Sequence, residues 1–237
     1  MPTSKVLLIQ NDEIETFGRY ATYLTENAIE HRILHAYRLR SCETFPSIAP
    51  YDACMIGPTP IPVSDIGKHP FLTKEWAYLD EIIASGKPCL GVCWGAQVLA
   101  KYLGAGVGRS PEREIGTYVV RLTREGRADP LFTGFPSAFP VFHWHSDMFE
   151  VPQGGRLLAE GTPCPIQAFG WGTVRGILFH LEMDGSTVEQ WATAYQAELG
   201  AVSTTMKRVY EAWRARESEM YGLAYLLMDN FLQLINI

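Results

Sequence analysis

Eight residues, Leu90 to Gln97 (LGVCWGAQ), constrain this chain more tightly than any other stretch. An apolar run from Pro88 to Val92 ends at Cys93. A helical pattern follows at once, with Val98, Leu99, Tyr102 and Leu103 apolar and Gly104 as a stop signal. Gly91 and Gly95 bracket the cysteine at i−2 and i+2. A strand that turns this sharply into a helix leaves no room for a β-carbon beside the turn residue, so the G-x-C-x-G spacing predicts an elbow with its thiol exposed. The sulfur then sits at the positive end of a helix dipole, which favours the thiolate.

An elbow of this kind belongs to an α/β sheet, and the N-terminal half reads as one. Lys5 to Ile9 (KVLLI) is apolar throughout, as a strand covered on both faces must be. Thr16 to Ala28 reads as helix, His31 to Leu39 and Tyr51 to Ile56 as strands, and Lys74 to Ala84 as a helix closed by Gly86. Thr59 to Thr73 is proline- and glycine-rich and reads as a long loop, the kind that serves as a functional lid. Beyond Gly104 the spacing shortens. Residues 115 to 122, 139 to 145, Arg156 to Ala159, Pro165 to Phe169 and Val174 to His180 read as closely connected strands, partly antiparallel. Thr187 to Leu199, Thr205 to Glu217 and Tyr221 to Ile235 read as helices, the last carrying an apolar stripe suited to packing on the sheet. The expected fold is an open, flavodoxin-like, mostly parallel sheet flanked by helices, with a strand-rich antiparallel portion in the middle and C-terminal helices. No linker divides it, so residues 1–237 are read as one domain.

A formal net charge of −6 disfavours a nucleic-acid or anionic-membrane partner. The five cysteines include no C-x-x-C pair, and the N-terminus shows no signal-peptide pattern, so a reducing, cytoplasmic setting is expected. The stretch from Leu223 to Ile235 is too short and too polar to span a bilayer.

A nucleophilic thiol needs a base, and the base needs an orienting group. His31, His35 and His69 stand apart from other catalytic residue types and read as surface or structural. His180 ends an apolar strand, with Glu182 two residues on. It is either a base with its orienter at the strand end where α/β sites form, or a core histidine beside a solvated carboxylate. In His143-Trp144-His145-Ser146-Asp147 the two histidines share a strand face. A metal site there would have to take Asp147 as third ligand and is not expected. A substrate-binding loop is the better functional reading, against an aromatic-rich strand whose histidines pack with Phe142, Trp144 and Phe149. Gly57 closes a strand ahead of Pro58, and its N–H with that of Trp94 would make an oxyanion hole; a plain turn is the alternative.

Together these segments resemble the class I, triad-type glutamine amidotransferases. Gly91-Val92-Cys93-Trp94-Gly95-Ala96-Gln97 matches that family's G-x-C-x-G-x-Q elbow, and Gly176 to Glu182 (GILFHLE) resembles its G-x-Q-F-H-P-E segment. His145-Ser146-Asp147 resembles the S-H-x-D loop and Ile56-Gly57-Pro58 the G-G-P loop. Glu114-Ile115-Gly116 and Phe149-Glu150-Val151-Pro152 resemble the branch near the amidotransferase domain of GMP synthase. The resemblance implies that Cys93 attacks the side-chain amide of glutamine to form a γ-glutamyl thioester. His180 would act as acid and base, Glu182 would orient it, and Gln97 with the loop from His145 to Asp147 would contact the substrate. It implies no cofactor and no metal, and an ammonia-accepting synthetase on a separate chain. Leu178, Leu181 and Ile56 replace the family's glutamine, proline and first glycine. These departures leave the triad intact but bear on substrate positioning. They keep open a γ-glutamyl peptidase or conjugate hydrolase with the same chemistry, a non-catalytic binding homologue, or, least consistent with His180 and Glu182, a redox-active elbow.

Overall fold

A computed structural model of the chain describes residues 4–236. The reading of the N-terminus as free of a signal peptide falls largely on Met1 to Thr3, outside the described residues. In chain order the regular elements begin with β1 (Lys5–Gln10), α1 (Gly18–Glu26), β2 (Glu30–His35), β3 (Ala53–Ile56), α2 (Pro70–Ala84), β4 (Cys89–Val92) and α3 (Trp94–Tyr102). They continue with β5 (Val107–Leu122), α4 (Arg124–Ala128), β6 (Ala138–Phe149), β7 (Arg156–Glu160), β8 (Ala168–Trp171) and β9 (Val174–Ile177). The chain closes with α5 (Gly185–Ala194), α6 (Gln196–Leu199), α7 (Met206–Arg214) and α8 (Glu217–Gln233).

The strands form one mixed sheet in the order β2-β1-β3-β4-β9-β8-β7-β5-β6. From β2 to β9 all pairings are parallel; from β9 to β6 all are antiparallel. The all-apolar β1 has its physical reason here. Val6 and Leu8 belong to the core on one face and Leu7 and Ile9 to the core on the other, so neither face tolerates a polar residue. Each such side chain, fully buried, contributes about 1.5–3 kcal/mol. The first core is covered by α1, α5, α7 and α8, the second by α2 and α3. The stripe on α8 (Met220, Leu223, Ala224, Leu227, Met228, Phe231) is buried within the chain, in that first core.

Four departures from the sequence reading have local causes. The lid-like stretch is not all loop: Val63–Lys68 is a 3-10 helix and α2 begins at Pro70, a residue whose fixed φ and missing N–H suit a helix start. The strand β5 starts eight residues before 115 because β6 pairs with it across a register shift between Arg109 and Glu114. Pairing, not apolar alternation, makes residues 107–114 a strand. The run ending at His180 leaves the ladder after Ile177, and His180 exchanges two backbone hydrogen bonds with Phe142 of β6, at 2.8 and 3.0 Å. Tyr195 breaks the helix read over 187–199 into α5 and α6.

Candidate active site

The elbow forms as its spacing demands, but its thiol is not exposed: Cys93 is buried by the strands and helices around the turn and opens only onto a cavity. Cys93 lies between β4 and α3 with φ 51° and ψ −107°, a left-handed conformation costly for any residue with a β-carbon, by about 1–3 kcal/mol. Its N–H donates to the Ile177 carbonyl of β9 at 2.8 Å, and its carbonyl accepts from Ala96 and Gln97. A β-carbon on Gly91 would lie 2.5 Å from the Gly95 backbone; one on Gly95 would lie 2.1 Å from the Ile56 carbonyl oxygen. Close backbone approach, not flexibility, is why both positions are glycine.

Above the elbow a cavity of about 230 Å³ is lined by Cys93, Trp94, Gln97, His145, Ser146 and Asp147, so these sequence-predicted residues meet at one place. Gln97 Nε2 donates to the Asp147 carbonyl at 3.1 Å, fastening the helix that follows the elbow to the His145–Asp147 segment. The Asp147 carboxylate pairs with Arg109 across the β5–β6 ribbon at 3.3 Å.

His180 and Glu182 lie behind the elbow, both closed to solvent. His180 Nδ1–H donates to Glu182 Oε1 at 2.5 Å, and the second carboxylate oxygen accepts the Leu181 N–H at 3.0 Å. The ring stands edge-on to Trp191 with centroids 5.0 Å apart. The start of α1 grips the same segment. Arg19 N–H donates to the Glu182 carbonyl at 2.9 Å, and a β-carbon on Gly18 would lie 2.3 Å from that oxygen. Burial works against a charge on His180, but the Glu182 carboxylate, Cys93 and the hydrogen bonds outweigh it and hold the imidazole well above its ordinary range. Its Nε2 is buried without a hydrogen-bond partner, and Cys93 is close enough to act on the charge of the ring. The geometry therefore favours the base-and-orienter reading of His180 over the core-histidine one.

One expectation needs correction. The Gly57 N–H donates to the Ile9 carbonyl at 2.9 Å, extending the β1–β3 ladder, so it is already used and does not face the thiol. Trp94, as the first residue of α3, has an N–H without an intrahelical partner beside the thiol. His143 also differs from expectation. It packs edge-on against Tyr118 and His145, on the strand face away from Phe142 and Trp144.

The cavity wall takes Thr59 to Pro62 from the lid-like stretch and Trp144 from the histidine cluster, and adds residues that no motif announced: Glu15, Arg109, Arg113, Tyr195 and Glu198. The Tyr195 hydroxyl donates to Glu15 Oε1 at 2.8 Å, and burial pushes the Glu15 carboxyl up to about 8. Glu198 pairs with Arg113 at 3.2 Å and accepts from the Trp144 indole at 3.3 Å. Among the described residues, Glu114, His145 and Cys164 are the group whose donor atoms could hold a metal ion.

The family model for class I glutamine amidotransferases matches residues 18–188. A glutamine amidotransferase-like protein of Salmonella typhimurium is 36% identical over 126 residues, 53% of each chain. The GMP synthase (glutamine-hydrolysing) of Aeropyrum pernix is 40% identical over 104 residues, 43% of this chain and 20% of that one. The alignments thus span about half and a fifth of these relatives. A glutamine amidotransferase from Thermotoga maritima superposes over the whole of both chains with a TM-score of 0.89 and 27% identity. A glutamine amidotransferase structure from Methylobacillus flagellatus, at 21% identity and a TM-score of 0.87, shares the fold.

Proposed function

Because the chain belongs to the class I glutamine amidotransferase family, we propose that it hydrolyses a γ-glutamyl amide through a thioester on Cys93. The reading rests on one observation above all. The elbow thiol, Gln97 and the His145–Asp147 segment meet in one cavity, with the buried His180–Glu182 pair directly behind the sulfur.

The Cys93 thiol gives its proton to His180 Nε2, and the sulfur attacks the amide carbon. The oxyanion so formed takes the Trp94 N–H, at the positive end of α3. His180 returns the proton to the departing nitrogen and ammonia leaves. The same nitrogen then takes a proton from water, whose oxygen attacks the thioester; the carboxylate product and the free thiol close the cycle. Glu182 keeps the ring proton on Nδ1 throughout, so that Nε2 is free to accept. Gln97 braces the substrate-side strand through Asp147 instead of serving only as a direct contact. Free glutamine is the substrate the family favours, with ammonia passing to an acceptor synthetase on another chain and no cofactor or metal in the reaction. The continuous sheet supports one domain over residues 1–237. No helix of the described residues is long and apolar enough to cross a membrane.

Purified protein should release ammonia from glutamine, and Cys93→Ala should abolish that release. Equal silence of both proteins, with candidate acceptors present, would sink the reading. The charged and aromatic outer wall of Arg109, Arg113, Trp144 and Glu198 favours a second substrate class, γ-glutamyl peptides or conjugates, with an additional moiety beyond the glutamyl group. A panel of γ-glutamyl amides decides between them: higher kcat/KM for free glutamine counts against the conjugate.

A further inference from the structure

On the face of the β5–β6 ribbon that carries His143 and His145, four side chains with metal-binding donors share a space closed to solvent. Glu114 and His145 are direct cross-strand partners, and Cys164 reaches them from the connection between β7 and β8. The donor atoms of these three all lie within 4.8 Å of one another, and all three residues are buried. His145 Nε2 stands 2.9 Å from Glu114 Oε2. His143 joins them with its ring centroid 4.8 Å from that of His145 and its Nε2 3.9 Å from the same carboxylate oxygen. His143 is fully buried, and neither of its ring nitrogens has a hydrogen-bond partner. An orphaned imidazole of that kind has lost its water with nothing in exchange and calls for a ligand.

We propose that Glu114, His145 and Cys164, with His143 as fourth donor, form a structural site for a borderline-soft divalent cation of the zinc type. A thiolate, imidazole and carboxylate set of four is the donor chemistry of closed tetrahedral zinc sites, with ligand atoms about 3.5 Å apart. The present spacing needs a contraction of only about an ångström, within reach of side-chain rotation. The charges also balance. The cation's two positive charges match the Glu114 carboxylate and the thiolate left when Cys164 releases its proton to solvent as the metal–sulfur bond forms. Without the cation the buried carboxylate has only Gln167 Nε2, at 3.2 Å, as a side-chain hydrogen-bond partner, and both ring nitrogens of His145 are left without one. The occupied site ties the strand that carries His145 to Asp147 to the loop bearing Cys164, and so fixes one wall of the cavity. It shares His145 with the wall of the Cys93 cavity but takes no donor from Cys93, His180 or Glu182, and it does not depend on which substrate is cleaved.

The test is a cobalt(II) titration of chelator-treated protein. We expect one Co²⁺ per chain, a near-ultraviolet thiolate charge-transfer band, visible bands of tetrahedral intensity and a raised Tm. Cys93→Ser keeps the band, Cys164→Ser loses it, and Glu114→Gln or His143→Ala weakens binding at least about tenfold. Absence of the thiolate band from wild type, or a band that survives Cys164→Ser, overturns the site. Should Cys164→Ser fail to fold by circular dichroism, unchanged affinity in both Glu114→Gln and His143→Ala overturns it equally.

Discussion

Glu182→Gln tests the proposed triad more searchingly than removal of the nucleophile, because it changes no volume and only one property. The carboxylate accepts two hydrogen bonds, from His180 Nδ1–H at 2.5 Å and from the Leu181 N–H at 3.0 Å. Glutamine brings one acceptor oxygen in place of two, so one of those buried donors loses its partner, at about 1–3 kcal/mol. If the oxygen stays with Leu181, the new amide faces His180 Nδ1, the ring proton moves to Nε2, and the nitrogen next to Cys93 can no longer accept. The lost charge acts in the same direction. Burial lowers the His180 pKa and the Glu182 carboxylate is the largest influence raising it, so loss of that charge should lower the His180 pKa. Without a competent base, turnover should drop by about 10²- to 10⁴-fold, with KM changed little. The assay is coupled ammonia release from glutamine across pH 5–10, alongside the rate of Cys93 alkylation over the same range. A linkage effect should accompany it. The raised His180 pKa contributes stability that is fully present below the unfolded-state pKa near 6.5 and is lost as pH rises through the folded value. The Tm advantage of wild type over Glu182→Gln should therefore be largest in acid and shrink in alkali. A folded Glu182→Gln protein that turns over within a few-fold of wild type, with an unshifted pH profile, would refute this reasoning.

Three further outcomes are expected. Gly95→Ala forces a β-carbon against the Ile56 carbonyl oxygen, so chemical denaturation should show a loss of about 1–3 kcal/mol together with most of the activity. Glu75 is buried and pushed up to about 8, so the folded state holds its proton more tightly than the unfolded chain. Stability should fall from about pH 4.5 to 8 by up to roughly 5 kcal/mol from this group, and Glu75→Gln should flatten that slope in urea melts. Arg109 is largely exposed and reaches Asp147 at 3.3 Å, so Arg109→Ala should raise KM no more than about fivefold at low salt and less at high salt.

What could be read from the amino acids alone follows from how local each constraint is. The elbow was legible because its demand is steric and written into five residues: Gly91 is required by the Gly95 backbone within the same turn, while the Ile56 carbonyl of β3 that requires Gly95 comes only with the fold. The strand β1 was legible because both of its faces are covered, which leaves a continuous apolar run. Gly57 shows the limit. Its place at a strand end could be read, but the destination of its N–H depends on Ile9, 48 residues earlier and on another strand. The cavity wall lay further out of reach. Glu15 sits among Asp12, Glu13 and Thr16 and looks like a solvated loop residue until the fold brings Tyr195 to it across 180 positions. Cys164 likewise carries no motif, and only the folded course of the β7–β8 connection brings it beside Glu114 and His145.

The most direct test of the thioester is acid-quenched mass spectrometry of the protein during turnover with isotopically labelled glutamine. We predict a glutamyl adduct confined to the peptide that carries Cys93, absent from Cys93→Ala. Ammonia release that persists in Cys93→Ala, or an adduct mapped to another residue, would contradict it.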